Sequence, residues 1–122
     1  MSSPPLRVLL VDDSEAIRLT MGAVLEMMGH EVQLAASLVE ARELQTVGVY
    51  DLAILDVHVG DELGMDLIPE LRRTQPKAVI AMLSGVTGAE TIVGADMVLD
   101  KGQDAELIVH KLEAAVAVRP AV

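Results

Sequence analysis

The sequence has no cysteine, phenylalanine or tryptophan, and Tyr50 is its sole aromatic residue. Without Cys there is no disulfide framework and no thiolate chemistry. Without Phe or Trp the core must be aliphatic, and seven Met join many Val, Leu, Ile and Ala to fill it. Basic residues are scarce: nine Lys and Arg stand against nineteen Asp and Glu, a net charge of −10. That balance argues against a nucleic-acid or anionic-membrane surface, since both need a basic footprint. It suits partners that are proteins or cations. No apolar run approaches membrane-spanning length, and the opening Met-Ser-Ser-Pro-Pro carries no apolar signal core. A soluble protein of the cytoplasm is the expectation.

What is present is globular: 122 residues, 52% hydrophobic and 23% charged, enough for one domain with one core. Arg7-Val8-Leu9-Leu10-Val11 is a short β-rich run closed by Asp12-Asp13, and reads as a buried strand. From Ser14 to Met28, Ile17, Met21, Val24, Leu25 and Met28 recur on one helical face, with Glu15 in the first turn and Gly29 as the stop. Val32 and Leu34 alternate with Glu31 and Gln33, a half-exposed strand. Ser37-Leu38-Val39-Glu40 fits a capping box, and its helix carries Leu38, Ala41 and Leu44 to a stop at Gly48. Leu52-Ala53-Ile54-Leu55 is a third strand, ending in Asp56 and a Gly- and acid-rich loop. The helix after Gly64 uses Leu67, Ile68 and Leu71, with Pro69 in its first turn. Ala78 to Leu83 is a fourth strand ending in Ser84-Gly85. Gly88 to Gly94 leaves room for only about two turns of helix. Met97-Val98-Leu99 is a fifth strand ending in Asp100-Lys101-Gly102. A last helix from Asp104 to about Val118 turns Leu107, Ile108, Leu112, Ala115 and Val116 inward.

Strands alternating with helices imply a parallel sheet covered on both faces. The expected fold is α/β, a flavodoxin-like (βα)5 three-layer sandwich with strand order 2-1-3-4-5 and a shortened or irregular fourth helix. One domain spans the chain, its core about residues 6–118, with no output domain in this sequence.

The strand ends carry the chemistry. Strand 1 gives Asp12 and Asp13, strand 3 gives Asp56, strand 4 gives Ser84 and strand 5 gives Lys101. Ligands of open α/β sheets bind at these carboxyl ends. Three carboxylates at one spot repel unless protonated or neutralised by a cation. An all-oxygen site favours a hard ion such as Mg²⁺, and the absence of Cys and of a spaced His pair argues against zinc. Lys101 is a mobile point charge suited to phosphate oxygens, and Ser84 can donate a hydrogen bond to the same group. With Asp56 as a carboxylate nucleophile, the parts for phosphoryl transfer to aspartate are complete.

The pieces V-L-L-V-D-D-S, L-A-I-L-D with Gly64 eight residues after the Asp, M-L-S-G and G-A-D-M-V-L-D-K follow in order, each closing a strand. Together they resemble the receiver domain of two-component response regulators, over roughly residues 6–118. The resemblance implies that Asp56 is the phosphoacceptor and that Mg²⁺ (or Mn²⁺) is held by Asp12, Asp13, Asp56 and the backbone carbonyl of His58. It gives Ser84 and Lys101 to the phosphoryl group. It implies a sensor histidine kinase or phosphotransfer protein as donor, an unidentified downstream protein as target, and slow self-hydrolysis. The departures are Gly60 and Gly102 where the family usually has Pro, Val98 where it usually has an aromatic, and a shortened stretch between Ser84 and Lys101. Gly60 implies a freer loop and Gly102 a less fixed Lys101. A phosphorylation-independent interaction module on the same fold is the alternative reading. His30 and His110 are expected in solvent, Asp61, Glu62 and Asp100 as exposed charges, and Asp66, Asp96 and Asp104 as turn or helix-start acids.

Overall fold

A computed structural model of the chain describes residues 4–85, 92 and 94–119. The elements in order are β1 (Arg7–Val11), α1 (Glu15–Met27), β2 (Glu31–Ala35), α2 (Leu38–Val47), β3 (Leu52–Asp56), β4 (His58–Val59), β5 (Glu62–Leu63), a 3₁₀ turn (Gly64–Leu67), α3 (Ile68–Thr74), β6 (Val79–Ser84), β7 (Met97–Asp100) and α4 (Ala105–Ala117). Five parallel strands form one sheet in the order β2-β1-β3-β6-β7. This is the predicted 2-1-3-4-5 order, with β6 and β7 as the fourth and fifth parallel strands. The predicted fourth helix falls mainly on residues outside those described.

The register sorts the core. Leu34, Leu10, Ile54, Ala81 and Met97 stand side by side across the sheet. The buried members of this row join Met21 and Leu25 of α1 and Ile108, Val109, Leu112 and Val116 of α4. The neighbouring row, Ala35, Val11, Leu55, Met82 and Val98, faces the other way, onto Leu38 and Ala41 of α2 and Leu67, Ile68 and Leu71 beside it. Each large aliphatic side chain buried here contributes about 1.5–3 kcal/mol. β1, β3 and β6 are flanked on both sides and read as near-continuous apolar runs, while edge strand β2 is largely exposed.

Local signals explain the element ends. Ser14 caps α1 by accepting the Ile17 N–H, Ser37 caps α2 by accepting the Glu40 N–H, and Asp104 caps α4 by accepting the Glu106 N–H. Glu40 reaches back to the Ala36 N–H at 2.7 Å, completing a box one residue earlier than the strict pattern. Gly29 follows α1 with φ 95°. Pro69 lies in the first turn of α3, where its missing N–H leaves nothing unpaired.

Two predicted orientations are corrected. Leu107 is half exposed rather than inward, and Val109 takes the buried place on α4. Leu107 lies one position before Ile108, so the inward face of α4 runs through Ile108, Val109, Leu112 and Val116 instead. His30 is buried rather than solvated. Its Nδ1 accepts the Leu6 N–H at 3.0 Å, and its Nε2 lies 2.7 Å from Glu113 Oε2. The imidazole ties the entrance of β1 to α4, and a periodicity argument cannot see a polar ring with two partners that distant in sequence. His110 is exposed as predicted, beside Glu113. Asp96 does more than turn the chain: its Oδ2 accepts the Ile80 N–H at 2.7 Å and meets Arg72 at 3.1 Å.

Candidate functional site

The carboxyl ends of β1, β3, β6 and β7 meet at one pole of the sheet. Val11 pairs with Leu55, so the next residues, Asp12 and Asp56, leave their strands side by side. Asp12 is fully buried and fixed at three atoms. Its N–H donates to the Ala35 carbonyl at 3.0 Å, its own carbonyl accepts from Arg18 at 2.8 Å, and its Oδ1 accepts the Ser14 N–H at 2.9 Å. Its Oδ2 faces the Lys101 ammonium. Asp13 is exposed and Asp56 is only 7% exposed. One carboxylate oxygen from each of Asp12, Asp13 and Asp56 lies within 4.8 Å of the others.

Lys101 is the counter-charge. Its Nζ sits 2.9 Å from Asp56 Oδ2 and 3.0 Å from Asp12 Oδ2. The ammonium thus lies between the two carboxylates, within charge-pair reach of the buried Asp12 Oδ2. Burial pushes the Asp56 carboxyl above its ordinary range. The Lys101 hydrogen bond pulls it down, the Asp12 charge pushes it up again, and the His58 backbone N–H lowers it; the net direction is upward. Burial alone would lower the Lys101 pKa, but the hydrogen bonds that its ammonium donates to Asp56 and Asp12 outweigh it and raise it. Three carboxylates against one ammonium leave excess negative charge at a half-buried spot. Three carboxylate oxygens within 4.8 Å of one another, with that excess charge, fit a hard divalent cation.

Ser84 is buried at the end of β6, and its carbonyl accepts the Lys101 N–H at 2.8 Å. The structure thus brings Asp12, Asp13, Asp56, Ser84 and Lys101 to one end of the sheet. His58 opens β4 with its side chain exposed, directly after the Asp56 strand. Val98 packs with the Met82 side of the core, where an aromatic ring was absent from the sequence.

Three features escaped the sequence reading. The loop after Asp56 is a hairpin: His58 pairs with Leu63 and Val59 with Glu62 across Gly60-Asp61. Gly60 has φ 62°, the left-handed region glycine tolerates, and Gly-Asp between β-forming residues is a hairpin signal that the sequence does carry. The Gly60 N–H donates to Asp13 Oδ2 at 2.9 Å. The residue expected to loosen this loop therefore ties it to an acid of the site. Gly64 approaches the Asp56 backbone so closely that a Cβ would collide with the Asp56 carbonyl oxygen. Gly102 is likewise bound, its N–H donating to Asp100 Oδ1 at 2.8 Å, so the segment after Lys101 is fixed without a proline. Asp100 is accordingly partly buried rather than a free exposed charge. Asp61 and Glu62 are exposed as predicted.

Acids at the ends of β1 and β3 and a lysine after β7, on a flavodoxin-like sheet, are the groups that phosphoryl transfer to an aspartate requires. The family model of the response regulator receiver domain matches residues 8–113, and the chain belongs to that family. It is 34% identical over 89 residues to the alginate biosynthesis transcriptional regulatory protein AlgB of Pseudomonas aeruginosa, covering 73% of this chain and 20% of AlgB. It is 34% identical over 104 residues to the aerobic respiration control sensor protein ArcB of Escherichia coli, covering 85% of this chain and 13% of ArcB. The chain thus spans a small part of these relatives. Among solved structures, a Burkholderia pseudomallei response regulator with a phosphorylated aspartic acid, calcium ion and citrate superposes with a TM-score of 0.81 at 31% identity, covering 91% of this chain and 68% of that one. A CheY-like receiver domain protein of Methanospirillum hungatei superposes with a TM-score of 0.84 at 26% identity, covering 93% and 95%.

Proposed function

We propose that Asp56 takes a phosphoryl group from a phosphohistidine of a sensor histidine kinase or phosphotransfer protein. The observation that carries this reading is the convergence of Asp12, Asp13 and Asp56 within 4.8 Å, with Lys101 Nζ 2.9 Å from the Asp56 carboxylate. A carboxylate oxygen of Asp56 attacks phosphorus as the P–N bond breaks, and the electron pair returns to the donor imidazole, which takes up a proton. The product is an acyl phosphate on Asp56. Lys101, now paired with Asp56 and Asp12, turns to the phosphoryl oxygens, and the Ser84 hydroxyl donates to the same group. Burial of Asp56 limits the access of water, which slows hydrolysis.

Asp12, Asp13, Asp56 and the His58 carbonyl would hold Mg²⁺ (or Mn²⁺), which neutralises charge on the transferring phosphoryl group when bound. The phosphorylated domain then shifts between two states and changes what it binds, a downstream protein. Residues 6–118 act as one receiver unit. Among the described residues no helix is long and apolar enough to cross a membrane, and with the acidic charge this supports a cytoplasmic role without direct contact to nucleic acid or lipid.

The test is incubation with acetyl phosphate and Mg²⁺, read by intact mass. The wild-type chain gains one phosphoryl group and Asp56→Asn gains none. A wild type that stays unmodified, or an Asp56→Asn chain that is modified equally, refutes the reading.

A further inference from the structure

Asp100 has no part in the chemistry above, yet its side chain is built into the turn that carries Lys101. Its Oδ1 accepts the Gly102 N–H at 2.8 Å, and its carbonyl accepts the Gln103 N–H at 3.2 Å. Both bonds reach across Lys101. On the other flank, Asp100 pairs in register with Ser84, and the Lys101 N–H donates to the Ser84 carbonyl at 2.8 Å. The backbone of Lys101 is therefore held from β6 on one side and clasped by the Asp100 carboxylate on the other.

The clasp has a job because residue 102 is glycine, whose backbone is the most permissive of all residues. A Cβ at 102 would stand 3.2 Å from Asp100 Oδ1, so a larger residue there presses on the clasping carboxylate. Lys101 must bring Nζ to 2.9 Å from Asp56 and 3.0 Å from Asp12 on a flexible four-carbon stem. Where that stem starts, and in which direction, is set at the Lys101 Cα.

We propose that Asp100 is a positioning residue for Lys101: its carboxylate clasps the Gly102 amide and so aims the ammonium at Asp56 and at the phosphoryl group Asp56 receives. The inference rests on the roles of Asp56 and Lys101 proposed above. The competing account is a plain turn cap that steadies the fold and leaves the chemistry alone.

The experiment measures the phosphorylation rate from acetyl phosphate with Mg²⁺ for wild type, Asp100→Ala, Asp100→Asn, Lys101→Ala and the Asp100→Ala/Lys101→Ala double variant, each with its urea midpoint. Asp100→Ala lowers the rate about tenfold, within the loss that a displacement on the order of an ångström causes. Asp100→Asn keeps an acceptor oxygen and stays within about twofold of wild type. In the Lys101→Ala background, Asp100→Ala changes nothing further. Should Asp100→Ala not fold, Gly102→Ala crowds Oδ1 instead, and its rate loss must likewise vanish without Lys101. A loss of equal size with and without Lys101 overturns the proposal, as does an Asp100→Ala chain that is less stable but reacts at the wild-type rate. If Lys101→Ala itself reacts normally, the site reading fails and the proposal with it. If Lys101→Ala is impaired while Asp100→Ala is not, only the proposal fails.

Discussion

Replacing Gly64 by alanine tests how tightly the loop after β3 is seated. The added Cβ would collide with the Asp56 carbonyl oxygen, stand 3.2 Å from the Asp56 carbonyl carbon and 3.4 Å from Met82 Cε. The obstacle is backbone, and neither side gives easily. Asp56 closes a fully buried strand in register with Leu83, and the Gly64 N–H is held by the Val57 carbonyl at 3.0 Å. Overpacking of this kind costs about 1–3 kcal/mol, and a rigid obstacle belongs at the upper end. Alanine recovers up to about 1 kcal/mol through its better helix propensity in the turn that Gly64 opens. The net loss is about 2 kcal/mol, or about 8 °C in Tm at roughly 4 °C per kcal/mol for a domain of this size. Urea unfolding followed by far-ultraviolet circular dichroism measures it, since the chain has no tryptophan. The same clash shifts the carbonyl of the proposed nucleophile, so acetyl phosphate labelling slows as well. A Gly64→Ala chain within about 0.5 kcal/mol of wild type and labelled at the wild-type rate would refute the close-approach argument.

In the metal-free protein, Asp56→Asn raises stability at neutral pH. The folded pKa of Asp56 lies above its unfolded value, so the ionised form disfavours the fold. That cost is absent below the unfolded value, near pH 4, and complete once pH exceeds the raised folded value; urea midpoints at neutral and acidic pH show the advantage shrinking as pH falls. Mg²⁺ at about a hundred times its dissociation constant stabilises the chain by about 2.7 kcal/mol, and chelation or Asp13→Asn removes most of that gain. A midpoint indifferent to Mg²⁺ would count against the metal set. His30→Ala leaves the Leu6 N–H without its acceptor and Glu113 without its buried donor, at a cost of about 2–3 kcal/mol. It lies at the opposite pole from Asp56, so the labelling rate of the folded protein stays unchanged.

The strand ends were readable because they obey a local rule: an apolar run of about five residues stops at a polar one, as at Val11-Asp12 and Leu55-Asp56. Alternating strands and helices then limited the topology, and the usual order of five such units supplied the order of the strands. What the sequence hid depends on pairs far apart along it. Nothing near Gly60 announces that its amide bonds Asp13, and nothing near His30 names Leu6 and Glu113 as its partners. Gly60 and Gly102 illustrate the same point from the other side. A glycine in place of proline suggests freedom, but each has an N–H that proline lacks, and each spends it on a carboxylate at the site's margin.

Tyr50 is the one aromatic ring of the chain, and it sits just before β3, buried, with its hydroxyl donating to the Leu44 carbonyl at 3.1 Å. Asp56 closes the same strand, so ring and carboxylate are roughly 20 Å apart at about 3.3 Å per residue. The near-ultraviolet signal of this protein therefore comes from a single chromophore at the pole away from Asp56. Tyrosine fluorescence reports whether the sheet is folded and is blind to what Asp56 carries. Tyr50 therefore follows folding alone, and a tryptophan introduced near the acidic pole and excited beyond the tyrosine band would be needed to follow modification.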